Sequence, residues 1–146
     1  MNKNLNFFNT LSNKKEKFSP INQDKVGMYV CGPTVYDLPH IGNARPLVIF
    51  DVLFRLLRSL YGKKKVTYVR NITDIDDKII ESSKKNKKNI NELTETITKS
   101  FHEDCKYLNC LNPTFEPKAT EHIKGMINMV SNLLKNDHAY ENERHV

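Results

Sequence analysis

The chain has 146 residues, enough for one domain with its own core, and its 38% hydrophobic and 27% charged residues exclude a disordered or fibrous class. No apolar stretch approaches the roughly 20 residues of a membrane-spanning helix, and Met1–Thr10 lacks the apolar run of a secretory leader, so no membrane role and a cytoplasmic location are expected. A net charge of +6 suits a polyanionic partner such as a nucleotide or nucleic acid, although Lys and Asn abound along the whole chain and a compositional bias explains the charge as well.

In chain order, residues 1–25 are polar, with a short strand expected near Leu5–Phe8 and then a loop. Val26–Cys31 reads as the first firm strand, apolar and ended by Gly32-Pro33. From Ile41 the pattern turns helical: Ile49, Val52, Leu53, Leu56, Leu57 and Leu60 recur at spacings of three and four, and Gly62 stops the run. Lys65–Arg70 is β-branched and aromatic, a second strand. Strand, helix, strand at this spacing predicts a βαβ unit with parallel strands and a right-handed crossover.

Beyond it, a short helix is expected near Lys78–Lys85, and Asn89 with Glu92 resembles a capping box for the next. That helix carries Leu93, Ile97, Phe101, Cys105 and Leu108 in one stripe. Pro113 and Pro117 mark a connector. A last helix is expected from near Thr120, with Ile123, Met126, Ile127, Val130, Leu133 and Leu134 on one face. Ala139-Tyr140 starts an extended segment that stops at Arg144-His145-Val146 without a partner. Since two parallel strands alone make a poor sheet, the chain reads as part of a larger protein.

Three cysteines, Cys31, Cys105 and Cys110, are too few and odd in number for a disulfide framework, so a functional cysteine here would act as a thiolate ligand or nucleophile. In doubly wound folds ligands bind at the carboxyl ends of the strands. Cys31-Gly32 and Asn71–Asp74 both stand at that edge. His40–Asn43 stands at the start of the intervening helix, where free N–H groups and the helix dipole favour phosphate. Gly42 would let a nucleotide approach the backbone. Alone, Cys31 is a strand-end cysteine and His40 a surface cap; their convergence is what suggests a site.

Cys31-Gly32-Pro33-Thr34-Val35-Tyr36-Asp37 with His40-Ile41-Gly42-Asn43-Ala44-Arg45 resembles the first active-site motif of the cysteinyl-tRNA synthetases, a class I aminoacyl-tRNA synthetase family. Tyr68–Lys78, Leu108–Leu111 and Glu116–Thr120 resemble the same family, so the likeness runs from about Asn9 to the end, over less than half of a typical member's length. It implies an α/β fold: the N-terminal part of a Rossmann-type nucleotide-binding domain over residues 1–110, with helices leading into a connective insertion that begins over 111–146. It also implies a cysteine–tRNA ligase, which activates cysteine with ATP and Mg2+ to cysteinyl-AMP and transfers it to tRNA(Cys), here as a monomer.

The resemblance assigns Cys31 as one protein ligand of a Zn2+ that binds the substrate thiolate. Zinc takes thiolate sulfur readily and serine's hydroxyl poorly, which would discriminate the two amino acids. His40 matches the first histidine of the HIGH motif, which stabilises negative charge on ATP; Asn43 stands in place of the second histidine and can donate but not be cationic. Gly42 joins them in binding ATP. Gly32, Thr34 and Thr73 are expected to contact cysteine, with a turn-stabilising hydroxyl as the plainer reading of Thr73. Asp76 and Asp77 read as helix-start acids rather than metal ligands, and Asp74 could join either group. Cys105 with His102 could share a helix face as an alternative zinc pair, but Cys105 falls in the apolar stripe. Lys84–Lys88 reads as a solvated charge run, with tRNA phosphate contact the sharper alternative.

The family's remaining zinc ligands, its KMSKS loop and its anticodon-binding domain have no match in these residues. The chain alone is therefore expected neither to hold stoichiometric zinc nor to activate cysteine. Two other readings stay open on sequence: a non-catalytic nucleotide-binding remnant, and a related ligase that joins cysteine to a non-tRNA acceptor.

Overall fold

The computed structural model describes residues 5–143, 145 and 146. Strands β1 (Asn6–Asn9) and β2 (Lys14–Lys17) form an antiparallel hairpin, β3 (Val26–Val30) leads to the helix α1 (Ile41–Tyr61), and β4 (Val66–Arg70) follows a 3-10 turn at Lys63–Lys65. Helices α2 (Asp77–Asn86), α3 (Ile90–Tyr107) and α4 (Ile123–Lys135) complete the order. The expected loop after β1 is thus a strand. Lys14–Lys17 is charged and exposed throughout, so no apolar alternation announces it.

The βαβ unit is present. β3 and β4 pair in parallel, Val26 opposite Val66 through Val30 opposite Arg70. Val26, Met28 and Val30 point to one side with Val66 and Tyr68, and α1 covers them with Phe54, Leu57 and Tyr61. The buried face of α1 is therefore centred on Phe54 rather than on the whole predicted stripe: Ile49, Val52 and Leu56 are exposed on its flank. Gly62 ends α1 as expected, its N–H donating to the Arg58 carbonyl at 3.0 Å from a left-handed φ of 100°.

The sheet has a further extended partner. The Thr114 and Phe115 N–H groups donate to the Tyr68 carbonyl, Arg70 N–H to Phe115, and Ile72 N–H to Pro117. The proline-marked connector therefore runs parallel to β4, bridging at Val69–Phe115 and Ile72–Lys118.

A second core lies past the strand ends, where Val35, Ile72 and Ile79 pack with Leu93, Ile97, Phe101 and Cys105 of α3. The α3 stripe is buried as its periodicity predicts. Asn89 caps the helix through the Asn91 N–H at 2.9 Å, and no return bond from Glu92 completes the predicted box. Asp76 caps α2 through the Lys78 N–H at 2.9 Å, and Asp77 lies in its first turn, the structural roles expected of both.

The last helix starts at Ile123, three residues after the predicted Thr120, because Ala119–His122 forms a 3-10 turn. No residue of α4 is buried. Near the C-terminus, Asn142 and His145 form an antiparallel bridge; Arg144, in the segment read as extended, lies outside the described residues.

Candidate functional site

The site forms where β3 and β4 end, side by side. Parallel pairing carries on past the strands as a bridge between Thr34 and Thr73. The Val35 N–H donates to the Thr73 carbonyl at 3.1 Å and the Thr73 N–H to the Pro33 carbonyl at 3.0 Å. Two stretches about forty residues apart are thereby locked at one edge, as the sequence predicted.

Gly32 sits against Asn71 so closely that an added Cβ would stand 1.5 Å from the Asn71 carbonyl oxygen. Its N–H donates to Asn71 Oδ1 at 3.0 Å, and the Tyr29 hydroxyl donates to the same oxygen at 3.1 Å. Asn71 Nδ2 in turn donates to Thr73 Oγ1 at 3.1 Å. With its N–H engaged, Gly32 keeps its carbonyl as an acceptor, which the Cys31 thiol approaches.

The start of α1 is held by an uncommon cap. His40 is the N-cap residue: its Nδ1 accepts the Gly42 N–H at 3.1 Å, while its own N–H donates to Asn43 Oδ1 at 3.0 Å. With Nδ1 accepting from Gly42, Nε2 is the ring nitrogen left to donate. A Cβ on residue 42 would meet the ring at 2.8 Å from Cε1, so Gly42 makes room for the histidine rather than for bare backbone approach alone. Asn43 spends its oxygen on the cap, and its amide N–H groups have no partner among the described residues. Pro46 has no N–H to give the Gly42 carbonyl, which loosens the first turn further.

A cavity of about 260 Å³ lies between these elements, lined by Gly32, Thr34, Tyr36, His40, Asn43 and Phe101 among others. A recess of about 90 Å³ shares Gly32, Pro33, Asn43 and Phe101 with it and is lined also by Cys31 and Leu47. The structure therefore brings Gly32, Thr34, His40 and Asn43 to one cavity and Cys31 to the adjoining recess. Thr73 lines neither and reaches the site through Thr34 and Asn71. Asn71 is the site residue whose individual role the sequence did not reveal; its place between a strand and a Thr-Asp turn was the only signal.

Cys31 is exposed, its sulfur 3.7 Å from the Gly32 carbonyl. A thiol at a cavity edge fits one donor of a zinc ion. Among the described residues, however, no three His, Cys, Asp or Glu side chains gather where an ion could be held, and a zinc site needs three or four.

The alternative pair separates. Cys105 turns into the core, 3.8 Å from Arg70 Nη1, and burial pushes its thiol pKa up, with the Arg70 guanidinium opposing in part. His102 faces outward and meets Glu116 Oε2 at 2.5 Å. Arg70, 3% exposed, is bound by Glu116 Oε1 at 2.6 Å and lies over the Phe101 ring. Burial alone would lower its pKa, but the Glu116 carboxylate together with Cys105 and Tyr68 more than offsets that, and the net shift is upward. Asp74 accepts from the Thr120 N–H at 2.9 Å and its hydroxyl at 2.6 Å, tying the β4 end to the turn before α4.

Comparison with known proteins follows the same lines. Residues 17–146 match the family of the tRNA synthetases class I (C) catalytic domain. The chain is similar to a cysteine–tRNA ligase of Pelagibacter ubique, at 60% identity over the whole chain and 32% of that relative. It is 57% identical to one of Orientia tsutsugamushi over 96% of the chain and 29% of the relative, and 59% identical to one of Ehrlichia canis over 91% and 28%. The chain thus spans about a third of the length of the curated relatives it matches. With the motif match extending through β3, α1 and β4, the chain belongs to the class I (C) tRNA synthetase catalytic-domain family.

Proposed function

We propose that these residues form the amino-acid and phosphate-facing part of a cysteine–tRNA ligase. The observation that carries the reading is the convergence of Gly32, Thr34, His40 and Asn43 on one cavity, with the Cys31 thiol in the recess beside it. In the reaction, the cysteine carboxylate attacks the α-phosphorus of Mg2+-bound ATP, a P–O bond forms, and pyrophosphate leaves. A terminal hydroxyl of tRNA(Cys) then takes the acyl group and AMP leaves.

The chain's own contribution is electrostatic. His40 presents its Nε2–H and Asn43 its amide N–H groups at the helix start, where charge builds on the phosphate oxygens. Both are fixed in advance by the cap, so little reorganisation is needed on binding. Thr34 and the Gly32 carbonyl are assigned to the amino acid, with Thr73 behind them. Cys31 would serve as one donor of a zinc that discriminates cysteine by its sulfur. The protein is read as a cytoplasmic monomer, and no helix among the described residues is long and apolar enough to cross a membrane. The relatives' shared name favours tRNA as acceptor over the non-tRNA alternative and over a non-catalytic remnant.

A chimera tests this: residues 1–146 in place of the matching third of the Pelagibacter ubique relative. Cysteine-dependent ATP–pyrophosphate exchange is expected, falling on the order of 100-fold or more in His40→Ala. A folded chimera without exchange, or one indifferent to His40→Ala, contradicts the reading.

A further inference from the structure

The cavity of about 260 Å³ and the recess of about 90 Å³ share Gly32, Pro33, Asn43 and Phe101. Phe101 is the one of the four that comes from α3, and its side chain is the largest of them. It is 2% exposed, so its ring lines both spaces as a floor and not as a flap. That floor has a firm backing. The Arg70 guanidinium lies over the ring at 4.8 Å from its centroid, and Glu116 holds Arg70 at 2.6 Å. Ile97, one turn earlier on α3, lines the cavity beside it and packs in the same core. A wall backed by close-packed interior yields little to added volume.

Sulfur chemistry leaves one competitor unopposed. A zinc ion beside Cys31 takes a thiol in preference to a hydroxyl, which separates cysteine from serine. Homocysteine carries the same thiol one methylene further out, so coordination alone does not reject it. Rejection then falls to space, and one methylene against an apolar wall is worth roughly 10- to 200-fold. We propose that Phe101 is a specificity-determining residue: the fixed wall that limits the length of the substrate side chain and so excludes homocysteine. The proposal rests on the cysteine-site reading above and adds to it a residue of α3, outside both strand-end motifs.

The test uses the chimera and compares kcat/KM for pyrophosphate exchange with cysteine, homocysteine and serine. Phe101→Leu shortens the wall. The homocysteine-to-cysteine ratio is expected to rise about tenfold, while the serine-to-cysteine ratio stays at the parent's value because Cys31 is untouched. Calorimetry without ATP should show homocysteine binding about tenfold tighter in the variant. A merely structural role for Phe101 would lower exchange with all three amino acids together and leave both ratios where they were.

If Phe101→Leu is recovered unfolded, Phe101→Met carries the same comparison, since its flexible side chain fills the core yet can give way to substrate. A folded variant with the parental homocysteine-to-cysteine ratio, or one in which serine gains as much as homocysteine, overturns the proposal; cysteine exchange lost in His40→Ala would still leave the site reading standing. If the folded parent chimera shows no exchange, or His40→Ala leaves it unchanged, the site reading itself fails and the proposal falls with it.

Discussion

Gly32 and Asn71 are in such close contact that the Asn71 backbone oxygen would lie 1.5 Å from any Cβ at position 32. The two residues end neighbouring parallel strands, so the approach of their backbones is what lets the Thr34–Thr73 bridge form beyond them. The obstacle is backbone and cannot swing aside. Gly32→Ala is therefore expected to separate the strand ends at a cost of about 3 kcal/mol. Urea unfolding of the variant checks this, and a midpoint equal to the parent's would contradict it.

Gly42→Ala is expected to behave differently. The added methyl would meet a side chain, the His40 ring, which can rotate away by giving up the Gly42 N–H. Alanine's better helix propensity gains about 1 kcal/mol and the lost cap costs about as much. Stability should stay within about 0.5 kcal/mol of the parent, while exchange by the chimera falls on the order of 100-fold because His40 is misplaced. Full activity in Gly42→Ala would show that the ring position does not matter.

Two buried acids, Cys105 and Tyr68, and the half-buried Cys110 give the fold a sensitivity to alkali. Burial pushes up the pKa of the Cys105 and Cys110 thiols and of the Tyr68 phenol. Each group holds its proton more tightly folded than unfolded. Their contribution to stability is intact below the unfolded thiol value of about 8.5 and is lost as pH rises through the raised folded values. Urea midpoints are expected to be flat from this source at pH 7–8 and to fall from pH 9 upward. Cys105→Ala should make that fall shallower, and an unchanged slope would contradict the assignment.

The Arg70–Glu116 pair should matter far more than its surface counterpart. Arg70 is buried, and Glu116 also meets His102, so Glu116→Gln strands a guanidinium charge in the core at a cost of about 3 kcal/mol. Lys65 and Asp24 are paired in solvent, and Lys65→Ala is expected to change stability by less than about 1 kcal/mol. Equal effects in the two variants would refute the ranking.

The parts of this architecture legible in the sequence were those with a strong local signal. A short apolar run ended by Gly32-Pro33 marked β3, β-branched and aromatic residues marked β4, Gly62 marked the end of α1, and the four-residue rhythm Leu93–Ile97–Phe101–Cys105 marked the buried side of α3. The hairpin partner Lys14–Lys17 had no apolar pattern because it faces solvent on both sides. The face of α1 was blurred because it carries apolar residues on two flanks, of which the sheet covers one. At the site, residue types suggested where phosphate and amino acid would meet. They could not say that Asn43 and His40 hold each other in a cap, nor that the Gly32 N–H is already taken. Those facts depend on which way side chains turn once two distant segments are side by side.

Half of a site is the central claim, and paired pyrophosphate-exchange assays test it most directly. The 146-residue chain alone and the chimera carrying it are assayed with cysteine at equal concentration. Exchange is predicted in the chimera and none above background in the chain alone, since the Cys31 thiol stands at the recess and no metal-ligand cluster joins it among the described residues. Cysteine-dependent exchange by the chain alone, or its absence in a folded chimera, would contradict the account.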